Sequence, residues 1–137
     1  MTTEDNRRVI QNFFEQVLNR RNLSVLSDFV SKDYVEHSPT PDQDPGLEGV
    51  RHHIETFFTA FSNTRYELED TIAEGSRVVA RWTLTGRHTG AFIGVAPTGK
   101  DIKTSGIDIY YLETGKIKEH WHEIDMLSLI AQLNPGR

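Results

Sequence analysis

The chain of 137 residues contains no cysteine. That excludes a disulfide framework, thiolate zinc sites and a cysteine nucleophile, and it fits a reducing compartment. Basic residues are scattered and the net charge is -5, so the basic stripe that a phosphate backbone requires is missing and no nucleic-acid partner is expected. No apolar run approaches the length of a membrane span, and Met1 to Asn6 shows no basic region leading into an apolar one. The expectation is a cytoplasmic protein without membrane contact. Also absent are Gly-x-Ser-x-Gly, a phosphate-cradling glycine loop, a dinucleotide fingerprint and a His-Glu-x-x-His helix. No metal and no cofactor is expected. There is no internal repeat, no low-complexity tract and no linker, so residues 1–137 read as one domain.

What is present is patterned. Ile10, Phe13, Phe14, Val17 and Leu18 recur at helical spacing and predict an amphipathic helix over residues 4–20. Asn22 suits the cap of a short second helix burying Leu23, Leu26, Phe29 and Val30. Tyr34 to Pro39 reads as extended, and residues 38–49, with three prolines and two glycines, as a loop or flap. Val50, Ile54, Phe57, Phe58 and Phe61 mark a third helix with an aromatic face. Strand-like stretches follow at 64–74 and 77–88 around Glu74-Gly75-Ser76, and at 100–112 and 116–125 around Thr114-Gly115. Gly90 to Gly99 is a loop, and Met126, Leu129, Ile130 and Leu133 form a terminal helix ended by Asn134-Pro135-Gly136, with Asp125 as its N-cap. Helices segregated against an antiparallel sheet make the class α+β.

The last hairpin carries the candidate chemistry. A tight turn at Thr114-Gly115 gives paired residue numbers that sum to about 229 or 230. That sets Asp108 against His122 and Tyr110 against His120, on one face in one of the two registers. A carboxylate beside an imidazole fixes its tautomer and raises its basicity, as a general base requires. A one-residue slip would send the pair to opposite faces, and surface Asp–His neighbours are common. Trp121 then alternates to the other side, while Trp82 is ambiguous. His37, before the Pro-rich loop, either points into the mouth of a pocket or is solvated; His88, ending a strand, has the same two readings. His52 and His53 read as solvent-facing or structural, and His120-x-His122 alone is a weak metal signal.

Tyr34-Val35-Glu36-His37, the run Arg81 to Gly90, Gly106-Ile107-Asp108-Ile109-Tyr110 and Gly115 to Asp125 with its Glu-His-Trp motif, taken in this order, resemble the SnoaL-like polyketide cyclase family. That family belongs to the superfold of nuclear transport factor 2 and ketosteroid isomerase. The resemblance implies a cone-shaped curved antiparallel sheet with N-terminal helices on its concave face. It implies dimerisation through the sheet's outer face and, in the founding enzymes, cofactor-free aldol ring closure by a carboxylate on the last strand. Where relatives carry an aspartate after that tryptophan, this chain has His122.

The expected function is acid/base chemistry on a small apolar, polyketide-like carbonyl compound, of cyclase or isomerase type. Catalytic candidates are His122, Asp108 and His37; pocket candidates are His120, Tyr110, His88, Phe14, Phe57 and Phe58. The alternatives are a non-catalytic pocket protein, or a hydratase or epoxide hydrolase using Arg81.

Overall fold

A computed structural model describes residues 1–134. Helix α1 (Thr3–Phe13) opens on a reciprocal cap. Thr2 Oγ1 accepts from the Asp5 amide at 3.0 Å, and Asp5 Oδ2 accepts from the Thr2 amide at 2.9 Å. The expected single helix over 4–20 instead divides, because Phe14–Asn19 winds as a π-helix, with the Arg20 amide reaching the Glu15 carbonyl at 3.0 Å. The wider turn keeps the adjacent Phe13 and Phe14 both buried, along with Val17 and Leu18. Asn22 caps a short 3₁₀ turn, Leu23–Val25, which runs into α2 (Leu26–Phe29). Val30, expected in that helix, is already the first residue of strand β1 (Val30–Glu36).

Helix α3 (Gly46–Ala60) begins inside the expected loop, directly after Pro45, and Phe61 turns out to start β2 (Phe61–Glu74). The remaining elements are β3 (Arg77–His88), β4 (Asp101–Glu113), β5 (Lys116–Ile124) and α4 (Met126–Leu133). Asp125 caps α4 as expected, its Oδ1 accepting from the Ser128 amide at 3.1 Å. Pro135 and Gly136, expected to end that helix, lie outside the described residues.

The sheet order is β1-β5-β4-β3-β2. Three of the four pairings are antiparallel, but β1 runs parallel to β5, a departure from a purely antiparallel sheet. A strand laid down before α3 returns to the edge of a hairpin made some eighty residues later, which sequence-local patterns do not encode. The concave side is covered by α1 and α3, with Ile10, Phe14, Leu26, Phe61, Leu84 and Leu129 fully buried.

The β4–β5 hairpin contains the detail that positions the site. Thr114 (φ 51°) and Gly115 (φ 76°) form a turn with two positive φ values, which favours glycine and suits a tight hairpin. Next to the turn Leu112 pairs with Ile117, and farther out Asp108 pairs with His122, Tyr110 with His120 and Tyr111 with Glu119. Both candidate registers therefore occur, joined by a bulge that leaves Lys118 without a partner. The bulge changes parity: Ile117 points inward, and beyond it His120 and His122 do so instead of Glu119 and Trp121.

Candidate functional site

Between the concave sheet face and helices α1 and α3 lies a largely apolar cavity of about 570 Å³. That is within the range that encloses small organic ligands. Its wall includes Phe13, Tyr66, Phe57 and Phe58, closed at one side by Thr40 to Gln43 of the expected flap and by Ala91 to Ile93 of the β3–β4 loop. Glu36, Asp108, Tyr110, His120 and His122 converge on one patch of β1, β4 and β5, while His52, His53 and Thr56 line the α3 side.

Glu36 is the hub of that patch. Its Oε1 lies 2.7 Å from His120 Nδ1 and accepts from the Tyr34 hydroxyl; its Oε2 lies 3.4 Å from His122 Nδ1. One carboxylate thus meets two imidazoles from neighbouring positions on one strand. On its other side His120 Nε2 stands 3.6 Å from Asp108 Oδ1. Asp108 Oδ2 accepts from Trp82 Nε1 at 3.0 Å and from the Tyr110 hydroxyl at 2.8 Å. The His120 ring stacks on Tyr110 at 4.7 Å and on His122 at 5.1 Å.

The electrostatics follow from this arrangement. Burial disfavours the charged form of His120, but Asp108 and Glu36 outweigh it and push the imidazole up to about 9, so it is a cation at neutral pH. Burial likewise opposes ionisation of Glu36, yet bonds from His120, His122 and Tyr34 hold it well below the usual carboxylate range. Burial and the charge of Asp108 push the Tyr110 phenol far up, so it stays a donor.

Several expectations change. Asp108 and His122 are paired across the strands, but Asp108 reaches His120 and not His122; the imidazole at 122 turns to Glu36. Stacking on Tyr110 brings His120 Nε2 toward Asp108, so the diagonal contact replaces the direct one. His37 does not reach the cavity. It lies on the outer side, stacked on Trp121 at 4.4 Å and bonded to Glu119 at 2.7 Å, because it follows Glu36 in strand alternation. His88 is fully buried beside Phe61, with Nδ1 accepting from the Thr98 amide at 3.1 Å; it ties down the β3–β4 loop and is not part of the wall. Phe14 belongs to the core behind the cavity, edge-on to Tyr66 and Tyr110, and Phe13 takes its place in the lining. Phe57, Phe58, Tyr110, His120, His122 and Asp108 do line the cavity. Arg81 is occupied at the surface by Asp70, 2.7 Å away.

Glu36, Tyr34, Tyr66, Trp82, His52 and His53 are among the cavity residues that the sequence reading did not assign to the site. Tyr34 and Glu36 share a face by period-two alternation, a local signal that gains meaning only through the parallel β1–β5 pairing. His53, read from sequence as solvent-facing or structural, points from α3 into the cavity, 6.2 Å from the His122 ring centre to centre. Burial and the neighbouring imidazoles lower its pKa and favour the neutral ring.

Among the described residues Glu36, His120 and His122 also offer three donor atoms within 4.8 Å of one another. The two rings are stacked 19° from parallel, and Glu36 turns one carboxylate oxygen to each. That suits a shared carboxylate better than a coordinated cation.

Residues 8–133 match the sequence profile of the SnoaL-like polyketide cyclases. No curated protein gives a significant match. Among solved structures, TsrD from Streptomyces laurentii has a TM-score of 0.88 at 28% identity, covering 98% of both chains. AclR from Streptomyces galilaeus, provisionally described as a hydroxylase, has a TM-score of 0.86 at 28% identity, covering 96% of this chain and 97% of that one. IdmH from Streptomyces antibioticus, provisionally described as a polyketide cyclase, has a TM-score of 0.81 at 26% identity, covering 93% and 97%.

Proposed function

The chain belongs to the SnoaL-like polyketide cyclase family, and from that premise we propose that it enolises a small apolar carbonyl compound by side-chain acid/base chemistry, as a ring-closing aldol cyclase or an isomerase does. One observation carries the reading. Glu36 Oε2 lies 3.4 Å from the buried Nδ1 of His122, an ion-pair distance without hydrogen-bond geometry, while His122 Nε2 has no hydrogen bond to the described residues and is not among their buried unpartnered atoms. An imidazole with a carboxylate beside one nitrogen and the other free in a largely apolar cavity has the form of a general base.

In this reading His122 Nε2 removes a proton alpha to the carbonyl. The C–H electron pair becomes the enolate double bond and the carbonyl oxygen takes the negative charge. The His120 imidazolium, 5.1 Å from the His122 ring, offsets that charge. For an aldol closure the enolate carbon attacks a second carbonyl of the same molecule, and the resulting alkoxide takes the proton back from His122. Asp108, with Tyr110 and Trp82 behind it, keeps His120 charged and oriented. A positioned base contributes roughly 10²–10⁴-fold.

The test needs no natural substrate. 2-Tetralone, a bicyclic ketone with acidic alpha protons, is followed by proton NMR in D₂O. Catalysed alpha-proton exchange is expected from the wild type and is expected to fall by roughly 10²-fold or more in His122→Gln. An exchange rate unchanged by that substitution sinks the assignment. Binding of 2-tetralone without exchange favours a non-catalytic pocket protein.

We also propose that two copies associate through the outer sheet face. Support comes from half-exposed Ile107 and Ile109 there, beside the Trp121–His37 stack.

A further inference from the structure

The polar patch on the sheet accounts for one wall of the cavity. Across from it, α3 contributes two imidazoles to the lining, His52 and His53, and it is His53 that approaches the His122 ring. His53 lies in the cavity wall, edge-on to Phe57 at 5.4 Å and 6.2 Å from His122. Its ring makes no hydrogen bond to any described residue, and neither nitrogen is sealed off as a buried unpartnered atom. The other two imidazoles of the cavity floor are committed. His120 is bonded at Nδ1 to Glu36 and faces Asp108 at 3.6 Å, and the buried Nδ1 of His122 stands 3.4 Å from Glu36. Of the phenols, Tyr34 is committed to Glu36 and Tyr110 to Asp108, while the Tyr66 hydroxyl on β2 makes no hydrogen bond to the described residues. A carbonyl oxygen entering this cavity beside His122 therefore finds the neighbouring sheet phenols Tyr34 and Tyr110 engaged, and His53, 6.2 Å from the His122 ring, supplies a donor from the helix side.

We propose that His53 is a second catalytic group, whose ring N–H hydrogen-bonds the substrate's carbonyl oxygen while His122 removes the alpha proton, so that the substrate lies between α3 and the β4–β5 floor. This rests on the reading of the cavity as a site of enolisation. The 6.2 Å between ring centres sets the two side chains next to one another, so that one edge of a flat molecule in the cavity can face both. As the C–H pair shifts into the new double bond and the carbonyl pair moves onto oxygen, the bond from His53 strengthens with the charge it faces. A neutral imidazole suits this role, since it polarises the oxygen without protonating it and needs no counter-carboxylate in an apolar wall. The floor already holds the carboxylates of Glu36 and Asp108, so an imidazole that stays neutral is the donor that adds no charge.

Two measurements test the proposal. 2-Naphthol reproduces the flat, enol form of 2-tetralone, and naphthalene lacks its oxygen; Trp82 in the cavity wall reports binding of either by fluorescence. Wild type is expected to prefer 2-naphthol by about tenfold, the worth of one well-made hydrogen bond. His53→Phe is expected to abolish the preference while still binding naphthalene, and His53→Gln, which keeps a donor, to retain part of it. In the exchange assay His53→Phe is expected to lower kcat about tenfold with little change in KM, and His53→Gln to recover part of the loss. A naphthol preference that is absent in wild type or intact in His53→Phe overturns the proposal. So does a loss confined to KM. If His122→Gln stops exchange while the His53 variants behave as wild type, the His53 proposal falls and the enolisation reading stands. If wild type shows no exchange at all, the enolisation reading falls, and a catalytic His53 falls with it.

Discussion

His120 and His122 stand two residues apart on β5, facing the same way and meeting the same carboxylate. Their surroundings still differ, because Asp108 flanks only His120. Two carboxylates around one imidazole make it a cation, and this has a consequence for stability. The folded value of His120 is raised to about 9 from an ordinary 6.5. A group raised on folding binds its proton more tightly in the native state, so its stabilisation is fully present below pH 6.5 and is lost as pH climbs through about 9. Urea denaturation at several pH values is expected to show stability falling across that window by on the order of a few kcal/mol. The fall should largely disappear in His120→Gln; an equal fall in that variant would place its origin elsewhere. Glu36 acts with the opposite sign. Its depressed value adds stability above the ordinary 4.5, and that stability is lost as pH falls below it.

Among the elements, β5 shows how one extra residue decides a site. Lys118 is left over between the two registers of the hairpin, and beyond it His120 and His122 face the cavity while Trp121 faces out to His37 and to Arg77, 5.5 Å from its ring. Residue types alone do not mark this bulge, since Lys116 and Lys118 look alike on a strand rim. Gly106 on β4 serves the same floor by its lack of a side chain. A Cβ there would sit 2.2 Å from Trp82 Cζ2 and 2.8 Å from the Glu123 carbonyl. Gly106→Ala is therefore expected to displace Trp82 from its bond to Asp108, to shift the tryptophan emission, and to cost about 1–3 kcal/mol in denaturant unfolding. Unchanged emission and stability would mean that the indole does not rest on this glycine.

At the scale of the whole molecule, the curved sheet has two faces with different tasks. The concave face holds the cavity. On the convex face, Ile107 is 49% and Ile109 37% exposed, and β4 carries them on the side opposite Asp108 and Tyr110. Apolar side chains in such a row favour self-association when a second copy can cover them. Analytical ultracentrifugation is expected to find a dimer for the wild type and a monomer for the double substitution Ile107→Glu, Ile109→Glu. A wild type that sediments as a monomer at tens of micromolar would remove the proposal. No described helix is long and apolar enough to cross a membrane.

The amino-acid sequence by itself determined what depends on neighbours along the chain. The helical spacing of Ile10, Phe13, Val17 and Val50, Ile54, Phe57 produced helices. Glu74 to Ser76 and Thr114-Gly115 produced hairpins, and Asp125 capped α4. It also picked out two residues of the cavity wall, since the Glu-His-Trp-His run faces the cavity through His120 and His122. Only the tertiary structure decided which carboxylate meets which imidazole. Glu36 lies 84 residues before His120, and the two meet because β1 returns in parallel to the edge of a hairpin made later in the chain. His53 entered the cavity for the same reason, α3 being packed over the sheet by contacts remote in sequence. A side chain's chemical type is a local property, whereas its partner is set by topology, and the Asp108–His122 pair expected from the hairpin gave way to Glu36 when a third strand arrived beside it.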